Sequence, residues 1–163
     1  MLRILAATSL PIALAVIAGR GATFGKPQGA DEVIALERSA LDRWEKGDVG
    51  GFLSLYADDI AYFDWSVERR LDGLPAVRGL IEPFAGKFRY DRIEMSNPRV
   101  QRSGDIAVLT YNALDLAADG SERRANRANV TEVYRRVAGR WRAIHSHYSY
   151  TTPPRAAGHD DRE

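Results

Sequence analysis

One change of periodicity divides this chain. From Asp31 to Ile81 helical spacings of three and four dominate, with one strand-like run between them, whereas from Phe88 onward the chain reads as long extended segments bounded by turn residues. Helices first and an antiparallel meander afterwards describe an α+β fold, with the helices packed on one face of a sheet.

The helical part begins at Asp31. Val33, Leu36 or Glu37, Ala40 or Leu41, and Trp44 share one side of a first helix, which Gly47 ends. Asp48 can cap a short second helix carrying Phe52, Leu53, Leu55 and Tyr56, ending at Ala57-Asp58-Asp59. The aromatic and β-branched run Ile60 to Trp65 is a strand, Arg69 to Gly73 a polar turn, and Pro75 opens a third helix with Val77, Leu80, Ile81 and Phe84 on one side. Four strands follow: Phe88 to Arg102 with a kink at Asn97-Pro98, Ile106 to Leu114, Arg124 to Arg136, and Arg140 to Tyr150. The Ile106 strand is apolar on both parities, so both faces of its sheet need cover. Helices can supply one cover, and a second copy of the chain is expected to supply the other.

The two ends differ from this body. Arg3 and then the apolar run Ile4 to Ala18, followed by a Gly-rich polar stretch, have the pattern of a secretory leader over residues 1–22, cleaved after Ala18 or near Ala22; a buried N-terminal helix or a wrongly chosen start codon are the competing readings. The run is too short for a stable membrane span, so the expected location is periplasmic or secreted. The tail, residues 155–163, is small and charged and is expected to be disordered.

Charge and composition narrow the chemistry. The whole chain has 23 basic and 22 acidic residues, and removal of the leader leaves 21 against 22. That balance argues against a general nucleic-acid binder, and the arginines of the hairpins belong to no recognised nucleic-acid motif. With no cysteine, thiol chemistry and thiolate metal sites are excluded. Carboxylate, tyrosine and histidine are left as the reactive groups.

Several short runs carry a resemblance: Lys46-Gly47-Asp48, Phe52 to Asp64, Leu71-Asp72-Gly73, Asn97-Pro98, Gly104 to Ala107, Thr131 to Arg136, and Gly139 to Ser149. In this order, from Asp31 to Pro154, they resemble the SnoaL-like proteins of the nuclear transport factor 2-like superfamily. Among these, the chain is most similar to bacterial domains that look like the association domain of calcium/calmodulin-dependent kinase II. The resemblance implies a cone-shaped barrel over residues 31–154, with three helices and a curved, mainly antiparallel sheet around a pocket, commonly dimeric through the sheet. It leaves activity open, because members include isomerases, dehydratases, cyclases and plain oligomerisation modules.

Candidate residues follow from both lines. By resemblance to ketosteroid isomerase-like members, Asp64 matches the general base and Glu132 the protonated acid, while the tyrosine donor of the first helix falls on Ala40. Asp64 stands among Tyr62, Phe63 and Trp65, where desolvation could tune it for proton transfer; the competing reading ties it to turn amides before Ser66. The arginines of the kinase association-domain pocket match Ala113, Glu132 and Tyr148, so capture of acidic groups is not inherited. Strand parity directs Tyr111 and Ala113, Glu132 and Tyr134, and Ile144, Ser146 and Tyr148 to the concave side. With Trp44 and Tyr56 they describe either an aromatic ligand pocket or a filled core. His145 and His147 fall on the outer side with Trp141, where a dimer seam would bury them. Two imidazoles two residues apart could begin a metal site, but no third ligand is evident from the spacing, and a structural role is the expectation.

Two functions compete. The first is an exported domain that binds a small, mostly apolar molecule, with cofactor-free proton transfer of the isomerase, dehydratase or cyclase type by Asp64, Tyr62 and Glu132. The second is a non-catalytic homodimerisation or ligand-sensing module.

Overall fold

A computed structural model describes residues 30–119 and 122–151. The expected leader, residues 1–22, and the expected tail, residues 155–163, lie outside the described residues. Three helices lie in the first part of the chain: α1 (Ala30–Trp44), α2 (Gly50–Leu55) and α3 (Leu74–Ile81), the last continued by a 3-10 turn, Glu82–Phe84. Between and after them run β1 (Tyr56–Phe63), β2 (Leu71–Asp72), β3 (Arg92–Ser103), β4 (Ile106–Asp119), β5 (Glu122–Val137) and β6 (Arg140–Tyr150).

Helix α1 buries Val33, Glu37, Ala40 and Leu41. Of the alternatives open at its second position, the chain buries Glu37 and leaves Leu36 37% exposed. That choice carries a charge-bearing group into the interior. The helix ends where Gly47 takes φ +78°, and a Cβ there would stand 2.6 Å from the Phe88 carbonyl oxygen. Glycine is therefore required both by the turn and by the close approach of the segment that enters β3. Asp48 accepts the Gly50 N–H at 2.9 Å and pairs with Arg43, which lowers its pKa and fixes the entry to α2.

The strands form one sheet in the order β2-β1-β6-β5-β4-β3. All neighbours are antiparallel except β1 and β6, which run parallel. The cone is open, because its edges β2 and β3 do not pair with each other. Its inner face carries Ala107, Leu109, Tyr111 and Ala113 of β4 with Ala128, Val130 and Tyr134 of β5, all buried in the core that the helices cover.

Departures from the sequence expectation have local causes. Helix α2 stops at Leu55, because Tyr56 turns extended (φ −69°, ψ 144°) and pairs with Ala143 of β6. The kink expected at Asn97-Pro98 is present as a register shift between Ser96 and Arg99, with Asn97 at φ 53°. A second irregularity lies in β6, where Val133 pairs with His145 but Tyr134 pairs with Ala143. Ile144 is thus the extra residue, and side chains before it change face relative to those after it. This corrects the placement of Trp141. Expected beside His145 and His147 on the outer side, Trp141 is 4% exposed, belongs to the core, and donates its indole N–H to Glu32 of α1 at 3.0 Å.

Candidate functional site

Strand parity and helix α1 together place four carboxyl groups around one cavity. Successive pairings align Leu109, Glu132, Ser146 and Tyr62 in one row across β4, β5, β6 and β1, and Tyr111, Val130 and Tyr148 in the next. Above these rows lie Glu37 and Leu41 of α1, with Trp44 at its end. The enclosed space is about 120 Å³. That is small beside the several hundred Å³ of clefts for drug-sized ligands.

Glu37 sits at the bottom, 1% exposed. Tyr111 donates its hydroxyl to one carboxyl oxygen at 2.7 Å, and Tyr134 donates to the other. Burial raises the Glu37 pKa, and the two phenols oppose that by solvating the carboxylate. Glu132, 2% exposed, has a different environment. Ser146 donates to its Oε1 at 2.6 Å and also meets the Tyr56 hydroxyl, whereas Oε2 has no hydrogen-bond partner. Burial pushes the Glu132 pKa well up, the nearby Glu37 charge pushes it further, and Ser146 offsets only part of this. Glu37 is solvated by two phenols and Glu132 by one hydroxyl, so burial and mutual repulsion favour the protonated form more strongly at Glu132. Its Oε2 is left without a partner, and the residue lines the cavity.

Asp64 lies higher on the same wall. Its Oδ1 accepts the Ser66 backbone N–H at 2.7 Å and the Ser66 hydroxyl at 2.6 Å, and its Oδ2 accepts the Tyr62 hydroxyl at 2.8 Å. The turn-bound alternative is therefore what Asp64 shows, with Ser66 on one oxygen and Tyr62 on the other, although both Asp64 and Tyr62 also line the cavity. Burial and the neighbouring Asp64 charge hold the Tyr62 hydroxyl firmly protonated. Tyr62 is a donor here.

Most of the expected pocket residues meet. Trp44, Tyr56, Tyr111, Ser146 and Tyr148 line the cavity with Tyr62, Asp64 and Glu132. Tyr134 stands behind it, holding Glu37. His145 and His147 do not reach it; they flank Phe63 on the outer face, with ring centroids at 6.2 and 5.8 Å. Burial and then His147 and Arg70 lower the His145 pKa. Among the described residues, no three His, Cys, Asp or Glu side chains converge as a metal site would need.

Two acids escaped the sequence reading. Glu37 was visible as an acid at a stripe position between Val33 and Leu41, but Leu36 competed for the same turn. Asp115 continues the inward parity of Tyr111 and Ala113, but it lies beyond the expected strand end at Leu114, whereas β4 runs on to Asp119. Asp115 is 5% exposed and accepts the Tyr148 hydroxyl at 2.5 Å.

Comparison with known proteins agrees with this architecture. Residues 33–153 match the SnoaL-like domain family. A candidate ketosteroid isomerase from Parabacteroides distasonis is similar at 32% identity and TM-score 0.68, over 78% of this chain and 91% of that one. A nuclear transport factor 2-like protein of Pseudomonas putida follows at 26% identity and TM-score 0.66, over 74% and 84%. The association domain of C. elegans CaMKII shares the fold at 22% identity and TM-score 0.64, over 73% and 93%. No curated protein matches the chain. From its matched sequence, its helix-covered open sheet and its inward-facing pocket, the chain belongs to the SnoaL-like domain family, on the nuclear transport factor 2-like fold.

Proposed function

We propose that the protein binds a small organic molecule in its cone through a carbonyl or hydroxyl oxygen, to which Glu132 donates its proton as a hydrogen bond. The observation that carries this reading is the unpartnered Oε2 of Glu132, since a buried polar atom without a partner is costly and a ligand oxygen would satisfy it. A neutral carboxylic acid in an apolar site is also a suitable donor to an oxygen that gains negative charge. Proton transfer beside that oxygen is the catalytic extension. Asp64, through the outer lone pair of Oδ2, would take a proton from the adjacent carbon and return it to another, with Tyr62 holding the carboxylate in place. The similarity to a candidate ketosteroid isomerase supports this class of chemistry. The size of the cavity favours a substrate smaller than a steroid. Export rests on the sequence of residues 1–22 and is tested by the N-terminal mass of the mature chain.

The binding step is tested with a panel of small ketones by thermal shift and calorimetry. Glu132→Gln keeps a neutral donor and is expected to retain binding, whereas Glu132→Leu is expected to weaken it about tenfold, the worth of one well-placed hydrogen bond. Loss of binding in the Gln variant would mean that Glu132 acts as a carboxylate. Deuterium uptake at the carbon next to the ketone, followed by NMR and abolished by Asp64→Asn, tests the catalytic step.

Homodimerisation through the outer face of the sheet is a second reading. It is favoured by Phe63, Val108, Leu114 and Val133, which lie half-buried on a face that no described element covers.

A further inference from the structure

The cavity has a mouth whose chemistry the carbonyl reading does not use. Tyr148 and Tyr150 stand edge to face at 5.3 Å, Trp65 packs on Tyr150 at 5.4 Å, and Tyr90 closes the opposite side against Phe88 at 5.7 Å. Beneath these rings lies Asp115, buried, with its Oδ2 held by Tyr148. Glu37, Asp64, Asp115 and Glu132 all line the cavity, and no lysine, arginine or histidine does so among the described residues. A bare metal ion does not suit them, since no three ligating side chains converge. Aromatic faces around a carboxylate instead suit a positive charge spread over methyl or methylene groups, which binds ring faces and needs no hydration shell.

We infer that the mouth is an aromatic cage for a small organic cation, a methylated or protonated amine, with the ammonium among Tyr90, Tyr148 and Tyr150 over Asp115. This rests on the proposal that the cavity is a ligand site, and it specifies the ligand's charge. The unsatisfied Oε2 of Glu132, at the inner end, is the partner for a polar group elsewhere on the same molecule. A ligand with a cation at one end and an oxygen at the other would meet both. An anion would face Glu37, Asp64 and Asp115 without a compensating charge.

The test compares choline with 3,3-dimethylbutanol, which has the same shape with carbon in place of the charged nitrogen, and with 3,3-dimethylbutyrate as the anion. Calorimetry on the full chain is expected to show choline binding about tenfold more tightly than the alcohol, with no binding of the anion. Asp115→Asn keeps an acceptor for Tyr148 and is expected to bring choline and the alcohol to parity; Tyr150→Leu is expected to weaken choline selectively. If the alcohol binds as well as choline, or the anion binds better, the cage is refuted while the cavity remains a ligand site. If neither choline nor the alcohol binds but a ketone does so in a Glu132-dependent way, only the cage falls. If nothing in either panel binds, both readings fall.

Discussion

Glu132 is the residue on which the interior turns, and its proton makes stability depend on pH in a direction opposite to that of an ordinary surface carboxylate. In the unfolded chain it ionises near 4.5, whereas in the fold burial and the Glu37 charge keep it protonated well above that. The folded state therefore binds the extra proton, and stability is greatest below the unfolded pKa and falls as pH rises toward the folded one. For one proton the slope is about 1.4 kcal/mol per pH unit. Glu37, Tyr56, Tyr62 and Ser146 face this group, and none of them is a cation that would reverse the sign. Urea unfolding between about pH 5 and pH 8 is expected to show this decline in wild type and a flatter profile in Glu132→Gln, with the variant the more stable at the alkaline end. An unchanged slope in the variant would place the proton elsewhere. Glu132, Tyr134, Ser146 and Tyr148 were legible from period-2 parity alone. Glu37 was not, because a helix stripe specifies a direction and not a residue type, and nothing local shows that Tyr111 and Tyr134, 74 and 97 positions away, will hold it.

At the scale of elements, closeness of approach separates two glycines that sit inside helices. In α2, a Cβ on Gly51 would stand 2.9 Å from the Ala40 carbonyl oxygen and 3.0 Å from the Arg43 Cβ, both on α1. Helix α1 cannot yield there without moving Glu37 and Leu41, its neighbours facing the cavity. In α3, a Cβ on Gly79 meets nothing within 4 Å. Gly51→Ala is therefore expected to destabilise the fold by roughly 1–3 kcal/mol, as overpacking does, and Gly79→Ala to stabilise it by about 0.5–1 kcal/mol through helix propensity and a less free unfolded chain. Opposite changes in melting temperature are the check, and the same sign in both would mean that the α1–α2 contact relaxes freely. The order and type of the main elements could be read from periodicity and turn residues. The one-residue bulge at Ile144 could not, because it arises from β5 and β1 holding the two halves of β6 in different registers. Its consequence was the misplaced Trp141, which the bulge directs toward Glu32 and α1.

The whole molecule has two faces of unequal character: an inner one that the helices seal and an outer one left to solvent. On the outer face, Val133 pairs with Val108 on one side and His145 on the other, and Thr131 with Thr110 and His147. These side chains are half-buried except His147, which is exposed, so the surface is apolar at its centre without being closed. A two-fold axis through such a face brings each residue near its own counterpart or a close neighbour, and one substitution then acts twice. Val133→Glu would place two carboxylates in that seam, a juxtaposition costing several kcal/mol. If the face is a dimer interface, sedimentation velocity is expected to show wild type as a dimer and Val133→Glu as a monomer, with affinity reduced about 100-fold or more. A monomeric wild type at all concentrations would refute the dimer and leave the cavity untouched, because a single chain already forms it. Conversely, the Val133→Glu monomer is expected to bind choline or a ketone as wild type does. Failure of that binding in a folded monomer would mean that the partner shapes the cone, tying the two proposed functions to one assembly.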